Sequence, residues 1–340
     1  MPDSSAWLRD DELAAIPACE ESDPRALATQ PRVSVLVLAY NHEAYLEQAV
    51  ESVLAQECAF GFEILIGEDA STDGTARLCR ALRARRPDRV RLITAPENVG
   101  MHRNFARLWA RARGQYVALC EGDDYWTDRG KLAKQAAFLD AHPGFSMCGA
   151  ETVRRDSEGR EEGRVAPRER REAYSVEDLI PDYGFHTSSV LIRREGLRFP
   201  RWLWEVYGVD RPLYLLCAER GPVGFLPDCM SVYRLHAGGA WAPVAFLDKG
   251  RKGVALFRAV DRHFNFRHHR LIRASLARML WSYAGESLLR GDRSAGRKLA
   301  ALALSHAFPA LPDRPGRVVR VLLRLAQPGG RRAGNGGAPC

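Results

Sequence analysis

Four short runs in the first third of the chain are apolar at nearly every position: 33–39, 62–66, 90–93 and 116–120. Their length and their share of β-branched residues predict strands buried on both faces. Between them the apolar positions change to a helical period. In EAYLEQAVESVLAQ, positions 46, 49, 50, 53 and 54 share one face, and further helices are predicted up to about Arg85 and over MHRNFARLWARAR. Buried strands separated by amphipathic helices predict an α/β fold: a Rossmann-like, mostly parallel sheet with helices on both faces.

From about residue 145 the rhythm changes. FSMCGAETV, HTSSVLIRR and CMSVYRLH read as further strands, VDRPLYLLCAERG as a helix ending at Gly221, and 154–172 as an Arg/Glu-rich loop. Beyond residue 242 the pattern is almost purely helical, and the stretch RASLARMLWSYAGESLLRGDRSAGRKLAALALSHAFP predicts two antiparallel helices joined at Arg290-Gly291-Asp292. Its spacing faintly resembles a tetratricopeptide pair, but a single copy favours a plain helical hairpin. The expected organisation is an N-terminal extension with a short helix over 1–30, a main domain over 31–241, a basic helical C-terminal extension over 242–327, and a tail of disorder-like composition over 328–340.

Composition narrows the class. The 46% hydrophobic content is ordinary for a globular protein. No apolar stretch approaches ~18 residues, so no membrane-spanning helix is expected. The acidic start lacks the basic region and apolar core of a secretory signal. Eight cysteines without a CxxC pair read as small hydrophobes in a reducing compartment, so a cytoplasmic location is expected. The net charge of +8 conceals an asymmetry: from residue 251 onward 18 Lys and Arg face 4 Asp and Glu, leaving the rest weakly acidic. Such a segment is either a solvated Arg-rich surface or a docking face for an anionic inner-membrane surface, to which the amphipathic RVVRVLLRLAQ at 317–327 is suited. No nucleic-acid-binding module accompanies the charge, so no nucleic-acid partner is expected.

The polar clusters sit where chemistry is expected. AYNH follows the first strand, EDASTDGT the second and EGDD the fourth. In sheets of this type ligands bind beyond the carboxyl ends of the strands, so the three clusters are expected to form one site. The last places Glu121, Asp123 and Asp124 within four positions. Such crowding serves acid–base chemistry or a hard cation, and oxygen ligands favour Mg²⁺ or Mn²⁺ over Zn²⁺. There is no GxGxxG after the first strand and no GxSxG elbow. The near miss GDRSAGRK at 291–298 has Arg and Lys where a phosphate loop needs Lys and Ser or Thr. Carboxylates, a cation and no phosphate loop suit a nucleotide diphosphate held by its metal ion.

Four pieces, VSVLVLAYNHEAYLEQAVESVLAQ, FEILIGEDASTDGT, ENVG with a following Asn, and YVALCEGDDYW, occur in an order and spacing that resemble the catalytic domain of family 2 glycosyltransferases, which has the GT-A fold. The resemblance covers about residues 31–240 and implies transfer of a sugar, with inversion, from a nucleotide-diphosphate-sugar donor to a hydroxyl acceptor. On it, Ala39, Tyr40 and Asn41 line the base and ribose. Glu68 and Asp69 match an acidic pair whose second member contacts the base. Glu121-Gly122-Asp123 matches the acidic-x-Asp metal motif, with Asp123 as ligand. The usual form begins with Asp, so Glu121 departs from it and would reach either the ion through water or the ribose. Asp124 is either an orienting group or a helix N-cap.

Inversion needs a base for the acceptor proton. The resemblance places it at Asp210, for which helix capping is the plain alternative, and Glu205 is the nearest competitor. His236 is a second candidate beside the metal, and Arg234 a counter-charge for the diphosphate. His186 and Thr187, with Ser188 and Ser189, fall where acceptor-side residues are placed. Trp202 and Trp204 are candidates for stacking on a sugar, while Trp126 reads as structural. The expected partners are a UDP-sugar foremost, and a glycan or lipid-linked acceptor in cell-surface polysaccharide synthesis; a peptide or small metabolite is the alternative acceptor. A sugar nucleotidyltransferase would need a Gly-rich loop after the first strand, which is absent. A non-catalytic interaction protein is opposed by the intact Glu68, Asp69, Asp123 and Asp210.

Overall fold

The apolar runs form strands, and their pairing explains why both faces are apolar. In the computed structural model, which describes residues 7–27, 30–239, 244–307 and 321, the chain divides into two units, Met1–Pro243 and Val244–Cys340. The first unit opens with α1 (Asp10–Ala14) and β1 (Cys19–Glu21). Then come β2 (Val33–Ala39), α2 (Leu46–Leu54), β3 (Phe62–Glu68), α3 (Thr75–Arg85), β4 (Val90–Thr94), α4 (Met101–Arg111) and β5 (Tyr116–Glu121). The second half of the unit holds β6 (Tyr125–Trp126), α5 (Lys131–Ala141), β7 (Met147–Arg155), β8 (Glu161–Val165), β9 (Ala173–Tyr174) and α6 (Val176–Leu179). It closes with β10 (Leu191–Arg193), α7 (Asp210–Arg220) and β11 (Val223–Arg234).

The strands run in the order β1-β4-β3-β2-β5-β10-β7-β11-β6. From β4 to β5 the pairing is parallel, while β10 is antiparallel to both neighbours and β11 returns parallel to β7. Every residue of β2 and β3 is buried. Val35, Val37, Ile64, Ile66 and Ala118 pack against Leu46, Val50, Val53 and Leu82; each fully buried side chain of this size contributes about 1.5–3 kcal/mol. Register brings the polar clusters together: Ala39 pairs with Glu68 and Leu38 with Glu121.

Three details differ from the sequence reading. The charged stretch 154–172 is not all loop: β8 pairs antiparallel with β7, and the buried Glu151 accepts from Arg164 and Arg170 at 2.5 Å each. A buried carboxylate with two guanidinium partners fixes a hairpin that an apolar pattern would not reveal. The first 30 residues supply an edge strand as well as a helix, since β1 pairs with β4 and Glu20 holds Arg91 at 2.8 Å. HTSSVLIRR is a 3₁₀ turn at Thr187–Ser189 followed by the shorter β10.

The second unit comprises α8 (Phe246–His263), α9 (His269–Leu289) and α10 (Arg293–Ala307). The α9–α10 turn contains Gly291 at φ +81°, a conformation that favours glycine. Here α8 adds a third helix to the expected hairpin, burying Phe257 and Val260 in a core with Leu280, Trp281 and Leu299. The amphipathic 317–327, Val321 apart, and the tail 328–340 lie outside the described residues. Among the described residues no helix is long and apolar enough to cross a membrane, and the seven cysteines are free thiols.

Candidate active site

The β2–α2 and β3–α3 turns interlock. Asn41 takes a left-handed φ of +56°, which Asn tolerates better than most residues. Its side-chain Oδ1 accepts from the Thr72 amide at 2.8 Å, and its backbone amide donates to Ser71 Oγ at 3.1 Å. Tyr40 is 44% exposed, whereas the Ala39 side chain belongs to the core. Glu68 accepts from the amides of Ala70 and Ser71. Asp69 accepts from those of Val99 and Gly100 at 3.0 and 2.9 Å, with the buried Arg107 3.6 Å away. Arg107 also donates to the Glu68 carbonyl at 2.7 Å and to Asn104 at 3.0 Å. The acidic pair therefore fastens the loops at the ends of β3 and β4, while Tyr40 and Asn41 remain exposed.

The acidic loop leaves β5 through a tight passage. The Gly122 amide bonds the Leu38 carbonyl at 2.8 Å, and a Cβ at Gly122 would meet His42 Nδ1 at 2.7 Å and that carbonyl at 2.8 Å. Asp123 Oδ2 lies 3.0 Å from His236 Nε2 and 3.5 Å from His42 Nε2. Arg234 closes the loop from β11: its Nη1 donates to the Asp123 carbonyl at 2.7 Å and its amide to Asp124 Oδ1 at 3.0 Å. The guanidinium lies over the rings of Tyr45 and Tyr125 and donates to Gln48. No helix begins at Asp124. It is buried, with Oδ2 3.4 Å from His186 Nδ1, and it positions the loop. Trp126 is buried over the ammonium of Lys131, 4.2 Å from its ring centre.

Electrostatics separates the three acids. Burial raises Asp123, but His236 and His42 more than offset it and hold the carboxyl below its usual range. Burial, then the Asp123 charge, pushes Asp124 well up. Glu121 is pushed up to about 8 by burial and by the charges of Asp123 and Asp210, against the opposing hydrogen bond of Thr187. Burial pulls His186 down to about 4 and also lowers His42. His186 stacks on Tyr233 with ring centres 4.2 Å apart.

Asp210 opens α7, but the cap position is Val209, without a side-chain cap. The carboxylate therefore has no capping duty to explain it. Two residues before it Gly208 takes φ +88°, and a Cβ there would stand 3.2 Å from Asp210 Oδ1. The Asp210 charge is felt by Glu121 and by His102. Trp204 packs between Phe199 and His102, Trp202 shares its 3₁₀ turn, and Glu205 ends that turn exposed to solvent.

The structure thus gathers Glu121, Asp123, Asp124, His186, Thr187, Arg234 and His236 around one loop, with Asp210 within electrostatic reach. Two histidines were missed by the sequence reading. His42 stood in the AYNH cluster without a role, and His102 is the second residue of the helix after ENVG. Its Nε2 is buried without a hydrogen-bond partner.

Among the described residues no three His, Cys, Asp or Glu side chains form a ready-made metal cage. The donor set fits an ion held only in part by protein: one carboxylate, Asp123, with His236 beside it, and phosphate oxygens and water to complete the shell. Asp124 Oδ2 and His42 Nδ1, both buried without a hydrogen-bond partner, fit a loop whose charge is balanced when such a group binds.

A parallel-centred sheet whose carboxyl edge carries an acidic loop, faced by a carboxylate heading a later helix, has the architecture of GT-A sugar transferases. The family model for glycosyl transferase family 2 matches residues 34–199. TuaG of Bacillus subtilis, a glycosyltransferase named for teichuronic acid biosynthesis, is 30% identical over 211 residues, covering 61% of this chain and 80% of that protein. An uncharacterized protein of Mycobacterium bovis is 37% identical over 209 residues, and the match spans 62% of this chain and 60% of that relative's length. Among solved structures, S. aureus TarS 1–349 in complex with UDP-GlcNAc is similar at TM-score 0.50 and 18% identity over 80% of this chain and 90% of that one. The mannosyltransferase PcManGT of Pyrobaculum calidifontis, in complex with GDP-Man and Mn²⁺, is similar at TM-score 0.51 and 19% identity, covering 93% and 92%. These two show the fold. The chain belongs to glycosyl transferase family 2.

Proposed function

We propose that residues 31–241 transfer a sugar, with inversion and with help from Mn²⁺ or Mg²⁺, from a nucleotide-diphosphate-sugar donor to a hydroxyl of a glycan or lipid-linked acceptor. The observation that carries this reading is Asp123 at the end of β5, held low in pKa between His42 and His236, with Asp210 within electrostatic reach of the same loop. The name of TuaG supports cell-surface polysaccharide synthesis. The UDP-GlcNAc bound by TarS and the GDP-Man bound by PcManGT support UDP- and GDP-sugars as the donors to try first.

In this reading Tyr40 and Asn41 offer the surface for base and ribose, and Glu68 and Asp69 hold that surface in shape. The acceptor oxygen forms its bond to the anomeric carbon as the bond to the diphosphate oxygen breaks on the opposite face. The bonding electrons leave with the diphosphate, and the hydroxyl proton passes to Asp210. A divalent ion held by Asp123 with His236 would supply charge neutralisation to the leaving diphosphate. Glu121, its carboxyl pushed up to about 8 in the empty site, would reach either the ribose or the ion through water. Arg234 fixes the acidic loop through backbone contacts.

The test is release of nucleotide diphosphate from a panel of UDP-, GDP- and dTDP-sugars with Mn²⁺. Turnover with at least one donor and an acceptor is expected. Pyrophosphate turnover in its place would point to a nucleotidyltransferase and contradict the reading.

A further inference from the structure

A concavity lies at the opposite edge of the sheet from the acidic loop, where β2 and β5 begin and β10 ends. This cleft has a volume of about 1450 Å³, and its lining carries five arginines and one acid, Glu195. Three of the arginines are neutralised by neighbours: Arg9 by Asp11 at 3.0 Å, Arg32 by Asp140 at 2.5 Å and Arg113 by Glu63 at 2.7 Å. The other two are not. Arg194 gives its Nε to the Gly114 carbonyl at 2.8 Å, and Arg198 lies over the ring of Trp7 at 5.6 Å. Neither has a carboxylate within ion-pair distance among the described residues.

Beside these two cations the floor is apolar. Trp109, Leu197 and Phe199 are buried there, with the Trp109 and Phe199 rings edge-on at 5.1 Å. The lip is fastened: the Leu8 amide bonds the Phe199 carbonyl at 2.9 Å, and Arg201 holds Glu12 at 2.6 Å. A bare anion would leave the floor wet, and a hydrocarbon would leave two guanidiniums unpaired. Arginine forks match phosphate oxygens, and pockets of this kind combine an apolar body with a few placed polar groups.

We propose that this cleft binds a phosphate monoester carried on an alkyl or aryl chain, with the phosphate between Arg194 and Arg198 and the chain on the Trp109–Phe199 floor. Such a group is offered by a soluble ester or by a lipid headgroup. The site shares no residue with the acidic loop and is read by binding alone, so its failure and a failure of the transferase reading are distinguishable.

The test is calorimetric titration of the full chain with dodecyl phosphate below its micelle concentration, with inorganic phosphate and dodecanol as controls. One-to-one binding is expected, at least ~10-fold tighter than either control. Arg198→Gln should weaken it several-fold, and Arg194→Gln with Arg198→Gln ~10-fold or more, with donor turnover unchanged. Competition by phosphatidic-acid vesicles assigns the phosphate to a lipid headgroup, and lack of competition to a soluble ester. Absence of saturable binding, a control that binds equally well, or unchanged affinity in both variants would overturn the proposal.

Discussion

Asp123 and Glu121 are two residues apart, and their surroundings push them in opposite directions. The contrast yields a pH prediction for the metal-free protein. Glu121 has a folded-state pKa of about 8, raised above an unfolded value of ~4.3. Between these values the folded state holds a proton that the unfolded state has lost, so Glu121 lowers stability progressively as pH rises through that window. Glu121→Gln removes the penalty. Its thermal midpoint should match that of the wild type near pH 5 and exceed it by at least ~2 °C at pH 8; a gap independent of pH would contradict the assignment. Asp210→Asn should keep donor affinity within ~2-fold while turnover falls ~10²–10⁴-fold, and loss of donor binding would remove Asp210 from the base role. The positions of these acids were legible from the crowding in EGDD and from a carboxylate opening a helix. The employment of Asp69 by the Val99 and Gly100 amides was not, because those partners belong to a loop distant in sequence, and that of Glu68 by the Ala70 and Ser71 amides depends on how the local turn folds back. His42 was hidden for the same reason: its nearness to Asp123 arises only when β2 and β5 pair.

Among the elements, the parallel strands were the most legible, because burial on both faces leaves an unbroken apolar run. Polar anchors were the least. The β7–β8 hairpin rests on Glu151, and the loops after β3 and β4 rest on Arg107, a fully buried cation in α4. Removing one member of a buried charged set costs about 3–5 kcal/mol. Arg107→Ala should lose that much in denaturant unfolding, and a loss below ~1 kcal/mol would show that the loops do not depend on it. Gly122 makes a subtler element-level claim. Its added Cβ would press on the Leu38 backbone and on His42, so Gly122→Ala should shift the acidic loop. Turnover should fall at least ~10-fold with the far-UV spectrum unchanged, and wild-type turnover would mean the passage is not tight.

For the whole molecule, the weakly acidic body and the basic quarter after residue 251 invite a division of labour, with chemistry in the first unit and anchorage in the second. Flotation with liposomes should show the full chain bound to anionic but not neutral vesicles, with binding lost as salt approaches ~0.5 M. Equal recovery on neutral vesicles would leave the charge as a solvated surface. The fold class could be read from strand and helix order, whereas the antiparallel β10 between β5 and β7 could not, because a strand of three residues, Leu191–Arg193, carries no record of direction. The central claim is that Asp123 anchors the donor diphosphate through a divalent ion, and the most direct measurement compares wild type with Asp123→Ala in donor-dependent nucleotide-diphosphate release at saturating Mn²⁺. The expected result is turnover below ~1% of wild type in a variant with an unchanged thermal midpoint; wild-type turnover in Asp123→Ala would contradict the account.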